Sequence, residues 1–499
     1  MTLHLDHRFA DALPELALDW RAEAAPDPRL LALDEGLATE LGLDPAALRT
    51  PDGLRLLTGE QPPEGTRPVA QGYAGHQFGG YSPRLGDGRA LLLGELTAPD
   101  GRLLDLHLKG SGRTPWSRGG DGLAVVGPML REHLVSAAMH ALGVPTTRSL
   151  GVVGTGRVVQ RDTPMPGAVL ARVAASHLRV GTVQYAAAHD AQRAAAAGTD
   201  PGDDCLLARV VTHAAERHHP EVLEAEVPAL ALLERVVEVQ ARLVARWMSV
   251  GFVHGVMNTD NVTLSGETID YGPCAFLDGF DQAAVFSSID TQGRYAFGQQ
   301  PAVMQWNLTR LAEGLLPLVT AASGDQEKAI ARCVEVLERF PALYGEEYAA
   351  LLAAKVGLPP AVSAGLDPVT RTDLVGDLLS VMAGARVDHT GFFRDLAREL
   401  RGQGTPARDR VLDLPAYDAW AGRWRALGPD PDAMDRVNPV HIPRNHLLQA
   451  ALDAADAGDL APFDRMLEVV THPYDERPEW AEYALPDPAG GPFVTYCGT

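Results

Sequence analysis

The stretch "HGVMNTDNVTLSGETIDYGP", His254 to Pro273, decides how the rest of the chain is read. It opens on His-Gly, reaches Asn261 seven residues after His254, and closes on Asp270-Tyr271-Gly272. Asn261 and Asp270 offer the hard oxygen donors that Mg²⁺ or Mn²⁺ prefers when it neutralises phosphate. Val256, two residues after the histidine, cannot accept a proton, which leaves Asp260 as the loop's carboxylate and the candidate base or water-positioning residue. His254 has no metal-ligand pattern around it and is expected to organise the loop.

Upstream, "VPALALLERVVEVQARLVARWMSVG", Val227 to Gly251, has the periodicity of a long amphipathic helix stopped by glycine. Within the loop region, "VTL", the turn "SGE" and "TIDYG" predict a small hairpin. A larger hairpin is expected from Arg89–Leu96 through "TAPDG" to Arg102–Gly110. In its second strand Leu104, Leu106 and Leu108 alternate with Asp105, His107 and Lys109, which puts Lys109 on the polar face at the strand's end. A Gly-rich connection follows, and then a helix opened by Pro128 and stopped at Gly143. Along it Glu132 shares a stripe with Val125, Met129, Val135 and Met139, where a carboxylate wants a cation. Two β-like runs, "SLGVVGTGRVVQ" and "GAVLARVA", come next, then an Ala-rich helical stretch and an acidic loop at "GTDPGDD". Beyond about residue 300 the pattern is mostly helical.

Composition narrows the function. The 499 residues carry 43 Lys plus Arg against 65 Asp plus Glu, a net charge of −22, which repels nucleic acid and anionic membranes. No signal-peptide core or membrane-length apolar run is visible, so the expected location is cytoplasmic. Four cysteines, Cys205, Cys274, Cys333 and Cys497, lack zinc-ligand spacing. Only three lysines occur, and Lys109 alone serves the first 327 residues. A chain so biased toward arginine keeps lysine where a compact ammonium on a flexible stem is needed.

The order of parts is that of a protein-kinase-like fold: hairpin with terminal Lys, helix with inward Glu, two strands, long helix, His-initiated loop ending in Asn, then Asp-aromatic-Gly. The expected class is α/β (α+β), bilobal, with a β-rich N-lobe and a larger helical C-lobe. The expected segments are a helical lead-in at 1–65, an N-lobe at 66–175, a C-lobe at 176–485 and an irregular tail at 486–499. Each part needs its partner, since the ammonium meets phosphate and the helix carboxylate positions the ammonium.

Several long motifs resemble the selenoprotein O family of pseudokinases: "QGYAGHQFGGYSPRLGDGRALLLGE", "DLHLKGSGRTPWSRGGDGLAVVGPMLREHL", "LGVPTTRSL", "ARVAASHLR" and "HGVMNTDNV…IDYGPCAFLD". The resemblance runs from about residue 70 to 310. It implies ATP bound in a flipped orientation, with AMP and not the γ-phosphate transferred to Ser, Thr or Tyr hydroxyls of protein substrates. It implies Lys109 on the triphosphate and paired with Glu132, and a nucleotide loop of Gly86, Gly88 and Arg89. Asp121 and Gly122 match further ATP contacts, Arg172 and Arg179 match arginines holding the reversed phosphates, and Asp260 matches the proton acceptor. Asn261 and Asp270 match the ligands of Mg²⁺ or Mn²⁺, with Asp270 also at the nucleotide. Cys497 stands where some relatives carry selenocysteine, and the resemblance supports a Cys274–Cys497 disulfide over the cleft. Charge gives arginines a physical role in such a flip, because a pyrophosphate leaving group develops negative charge that fixed guanidinium forks can meet.

Two other readings compete. A small-molecule phosphotransferase of the aminoglycoside-kinase type keeps Asp directly after His-Gly, and Val256 argues against it. A catalytically silent scaffold would have no need of Lys109, Glu132, Asn261 and Asp270 together. The choice between ATP and UTP stays open, and a monomer is expected.

Overall fold

The computed structural model describes residues 3–496 except 199–201, 203, 204, 367 and 492. The acidic loop at 198–204 therefore lies largely outside the described residues, as does Cys497.

An antiparallel sheet fills the N-terminal part. Its strands are β1 (Ala17–Asp19), β2 (Arg29–Leu33), β3 (Val69–Gln71), β6 (Ala90–Thr97), β7 (Leu103–Lys109), β8 (Ala124–Val125), β9 (Arg148–Gln160) and β10 (Pro164–Ala174). A separate small hairpin, β4 (Gly75–Gln77) with β5 (Gly80–Ser82), stands between β3 and β6 in the chain. The main order is β1-β3-β6-β7-β10-β9-β2, with β8 added against β10. The β6–β7 hairpin expected from alternation is present, with Ala90 opposite Lys109 and a register shift between Leu92 and Gly94.

The expected segment 1–65 differs from the fold. It is not only helical, because β1 and β2 form the two ends of the sheet path and complete its edges. Its short helices also cover one sheet face: Leu37, Leu48, Leu56 and Leu57 pack with Leu93, Leu106, Leu108, Val153 and Val169. The other face carries Asp105, His107 and Lys109, and all three are buried. The polar side of the alternation thus faces protein and not solvent, which forces each polar group to find a partner. Leu108 is fully buried, and cutting such a side chain to Ala costs about 2–5 kcal/mol.

The helix expected from Pro128 begins at Val126, directly after β8, and runs to Ala141. It packs against β9 and β10 and presents buried Arg131 and Glu132 inward. From Val180 on the chain is mostly helical, with the long Pro228–Ser249 helix packed against Gln300–Ser323 and Phe340–Lys355. A sheet-rich N-terminal region and a helical C-terminal region meet across a cleft, the architecture of a kinase-like fold. No helix of the described residues is long and apolar enough to cross a membrane.

The small hairpin expected at 262–272 does not form. β11 (Phe252–Val253) pairs instead with β12 (Ala275–Phe276), clamping the loop at its two ends. Between them Thr263 bridges Arg179 and Thr268 bridges Thr146, so both would-be strands pair outside the loop. Thr263 Oγ1 donates to Glu267 O at 2.7 Å and accepts from Glu267 N at 3.0 Å, a side-chain closure that replaces the ladder.

Candidate active site

Lys109 ends β7 and reaches across the cleft. Its Nζ donates to Glu132 Oε2 and to Asp270 Oδ1, both at 2.6 Å. The three residues come from a strand, a helix and the loop, so the contact ties together the parts that the sequence separates by up to 161 positions. Glu132 also accepts from Arg172 Nε at 2.8 Å and from its Nη2. Burial would raise Glu132, but Arg172 and Lys109 outweigh it and hold the carboxyl below its ordinary value. Asp270 behaves alike: burial opposes, yet Lys109, then Arg172 and Arg89, keep it far below the usual carboxylate range. Its backbone sits at φ 67°, a left-handed conformation that short polar Asp tolerates better than bulky residues.

Arg172 was expected to hold phosphates. It lines the cavity, but its fork is turned onto Glu132, so in this state it braces the helix carboxylate. Arg179 lies at the other wall. Its Nη1 donates to Asp260 O at 3.1 Å, Nη2 is 3.8 Å from Asp87, and the guanidinium stacks 4.3 Å from the Tyr73 ring.

Asp260 is partnered far more thinly than Asp270. Gln77 Nε2 donates to its Oδ2 at 3.2 Å, while Oδ1 is buried without a hydrogen-bond partner. Burial pushes its carboxyl up to about 6, against the pull of Arg179 and Gln77. Asn261 Nδ2 donates to Val256 O at 3.0 Å, which leaves Oδ1 as the amide's acceptor in the cavity. Val256 itself is buried, 6% exposed. His254 Nε2 faces Ile269 O at 2.9 Å, Nδ1 accepts from Val256 N at 3.3 Å, and burial lowers the ring's pKa. Those bonds brace the two ends of the loop.

The Gly-rich stretches need their glycines for packing as well. A Cβ on Gly86 would lie 2.3 Å from Trp116, and on Gly122 2.2 Å from Gly112 O, both at positive φ. Asp121 accepts from Arg161 Nη1 at 2.7 Å and from Leu123 N, an ion pair at the cavity edge. Gly88 and Arg89 line the cavity, and Gly88 O accepts from Ser117 Oγ.

The candidate residues surround one cleft of about 320 Å³, except Glu132, which stands behind Lys109 and Arg172, and His254 and Val256, which do not line it. Several lining residues carried no site signal in the sequence: Tyr73, Gln77, Asp87, Trp116, Arg118 and Arg161; His107 lines the cleft beside Lys109, on whose strand face the alternation put it. Asp87 could have been found, since it lies between Gly86 and Gly88. His107 Nε2 contacts Asp87 Oδ2 at 3.0 Å, and the pair, with Arg179, overcomes burial to bring Asp87 down to about 2. His107 also stacks on His177 at 4.0 Å, and His177 Nδ1 faces Asp105 Oδ2 at 3.0 Å. Asp105 and His107, without a role in the sequence, are thus joined through His177 into a buried brace that reaches the cleft wall at His107.

Cys274 is buried, its Sγ donating to Tyr271 O at 3.1 Å, and burial pushes the thiol up to about 11. The described tail reaches its neighbour: Thr495 Oγ1 donates to Pro273 O at 2.7 Å. The Cys274–Cys497 pairing falls partly outside the described residues.

Among the described residues, no group of three or more His, Cys, Asp or Glu could hold a metal by itself. The donors Asn261 and Asp270 suit a different arrangement, in which Mg²⁺ takes one or two protein oxygens and completes its shell with phosphate and water.

The fold and the cleft between its two regions define a protein of the kinase-like class. Sequence comparison gives the family: residues 1–471 match the one described as protein adenylyltransferase SelO, and the chain belongs to it. The match extends on both sides of the 70–310 stretch in which the motifs were recognised. The chain is 58% identical over 503 residues to protein nucleotidyltransferase YdiU of Mycolicibacterium paratuberculosis, covering 100% of this chain and 99% of that protein. It is 56% identical over 502 residues to the protein of the same name from Pseudarthrobacter chlorophenolicus, covering 100% and 99%. With the Cereibacter sphaeroides protein of that name it shares 50% over 504 residues, covering 100% of both. This chain is a nucleotidyltransferase of that family.

Proposed function

We propose that this protein transfers AMP from ATP to Ser, Thr or Tyr hydroxyls of proteins, with ATP bound so that its phosphates point inward. The observation that carries this reading is the gathering in one cleft of three cations, Lys109 and Arg172 with Arg179 opposite them, and a thinly partnered carboxyl at Asp260. Breaking the α–β phosphate bond leaves charge on pyrophosphate, which guanidinium and ammonium groups lining the cleft stabilise. Lys109 is positioned by Glu132 to serve this end, and Arg179 stands opposite.

Asn261 and Asp270 would hold Mg²⁺ or Mn²⁺, which supplies charge neutralisation of the phosphates. Asp260 takes the hydroxyl proton as the acceptor oxygen attacks the α-phosphorus. Its buried, unpartnered Oδ1 and its raised pKa suit a proton acceptor near neutral pH. Val256 explains why the usual kinase position does not compete for that role.

Incubation with ATP labelled separately at the α and γ positions tests the reading. Label from the α position on Ser, Thr or Tyr of protein is the expected result. Label from γ on protein or on a small molecule would make the enzyme a kinase, and no label would make it a scaffold.

A further inference from the structure

The β4–β5 hairpin is the part of the cleft rim that the catalytic assignment leaves unused. Three consecutive hairpin residues are fastened to three consecutive loop residues. His76 N donates to Thr259 Oγ1 at 2.7 Å, Gln77 Nε2 to Asp260 Oδ2 at 3.2 Å, and Phe78 N to Asn258 Oδ1 at 3.1 Å. The hairpin is therefore fixed relative to Asp260.

Its tip is chemically odd. Phe78 and Gly79 have φ of 50° and 85°, as a two-residue turn with both centres left-handed requires. Asn-Gly or Asp-Gly satisfies such a turn with little strain, whereas a bulky Phe at positive φ is strained. Yet Phe78 is 40% exposed, and Tyr81 on the next strand is 45% exposed. The Phe78 ring packs 5.2 Å from Tyr295 on one side only, and backbone strain of this kind gathers at sites that clamp a ligand.

Beside the tip lies Arg294. Its guanidinium stacks 4.7 Å from the Trp306 ring and 5.7 Å from Tyr295, and is 3.9 Å from where a Cβ on Gly79 would lie. Its Nε is buried without a hydrogen-bond partner, and among the described residues no carboxylate lies within ion-pair distance. The nearby Asp290 is turned away, accepting from the backbone N–H groups of Arg294 and Tyr295. Arg310, on the same Trp306 ring, has the opposite fate, paired with Glu313 at 2.7 Å. Arg294 thus presents a guanidinium without an acidic partner beside the hairpin tip, where a carboxylate from another molecule can meet it.

We propose that the hairpin tip and the Arg294–Trp306 stack dock the acceptor protein segment, selecting segments with an acidic side chain close to the modified hydroxyl. The inference rests on the adenylyl-transfer reading above and adds the acceptor's chemistry to it. Phe78 and Tyr81 pack the segment, Arg294 takes its carboxylate, and Asp260 meets its hydroxyl at the hairpin's base.

The test is an array of Ser-, Thr- or Tyr-centred decapeptides with acidic, neutral or basic flanks, offered with α-labelled ATP to the full chain. Wild type should label acidic-flanked peptides best. Arg294→Glu should move the preference to basic flanks, and Phe78→Asn, which keeps the turn, should raise the peptide KM about tenfold with the ATP KM unchanged. Label spread without regard to flanks in wild type, or an acidic preference surviving Arg294→Glu, overturns this inference alone. No α label on any peptide or protein overturns the adenylyl-transfer reading and this inference with it. Sedimentation showing that Phe78→Asn dissociates a dimer would assign the face to a second copy and also overturn the proposal.

Discussion

Asp270 and Asp260 are ten residues apart on one loop and line one cleft, yet their surroundings drive them in opposite directions. Asp270 meets Lys109 at 2.6 Å and stays charged at any ordinary pH. Asp260 has one amide donor at 3.2 Å and an oxygen with none, and burial pushes it up to about 6. Two carboxyls of the same intrinsic acidity thereby acquire two tasks, one as a permanent negative charge and one as a group able to exchange a proton. The lesson is that the cations beside a carboxyl, more than its burial alone, set what it can do.

The sharpest way to break this comparison is to remove the permanent charge. Asp270→Ala should lower AMP transfer by about 10³-fold or more, because the phosphate-neutralising donor is lost, as single-turnover α-label incorporation would show. Asp260→Asn should slow transfer by about 10²–10³-fold while leaving nucleotide affinity in equilibrium titration unchanged. Equal losses of affinity in both variants would erase the distinction between them. Lys109→Arg should cost about 10–100-fold in transfer, since a planar fork cannot place one donor on both Glu132 and Asp270.

The smallest effect comes from a third carboxyl. Burial pushes Glu267 up to about 7 from 4.5, against the N–H of Ala175 and the hydroxyl of Ser265. The folded chain then binds more protons than the unfolded one between about pH 4.5 and 7, so this group makes stability fall as pH rises through that window. Glu267→Gln keeps an acceptor for Ala175 N and Ser265 Oγ but cannot titrate. It should shrink the Tm difference between pH 5 and pH 8 by roughly 2 °C in calorimetry.

Much of this was legible in the residues. Alternation exposed the β6–β7 hairpin, and the scarcity of lysine together with a Glu on an apolar helix stripe foretold a cation at Glu132. What sequence did not show was competition for partners. Arg172 is read from its motif as a phosphate binder, but only three dimensions reveal that Glu132 accepts from its fork. The hairpin expected at 262–272 failed for the same reason, since Thr263 and Thr268 had better partners in Arg179 and Thr146. Gln77 carried no signal at all, being one amide among many until the hairpin brings it to Asp260. Local pattern specifies elements well; it is silent on which of several distant groups will claim a side chain.

The solitary lysine has a practical side. Lys355 is buried against the Phe393 ring at 4.3 Å, Lys328 is exposed on the Gln326–Glu338 helix, and Lys109 is the one lysine lining the cleft. A nucleotide armed with an amine-seeking acyl group can therefore acylate only one lysine from within the cleft, because guanidinium groups do not compete at neutral pH. A single tagged peptide in a mass spectrum would count occupied molecules directly.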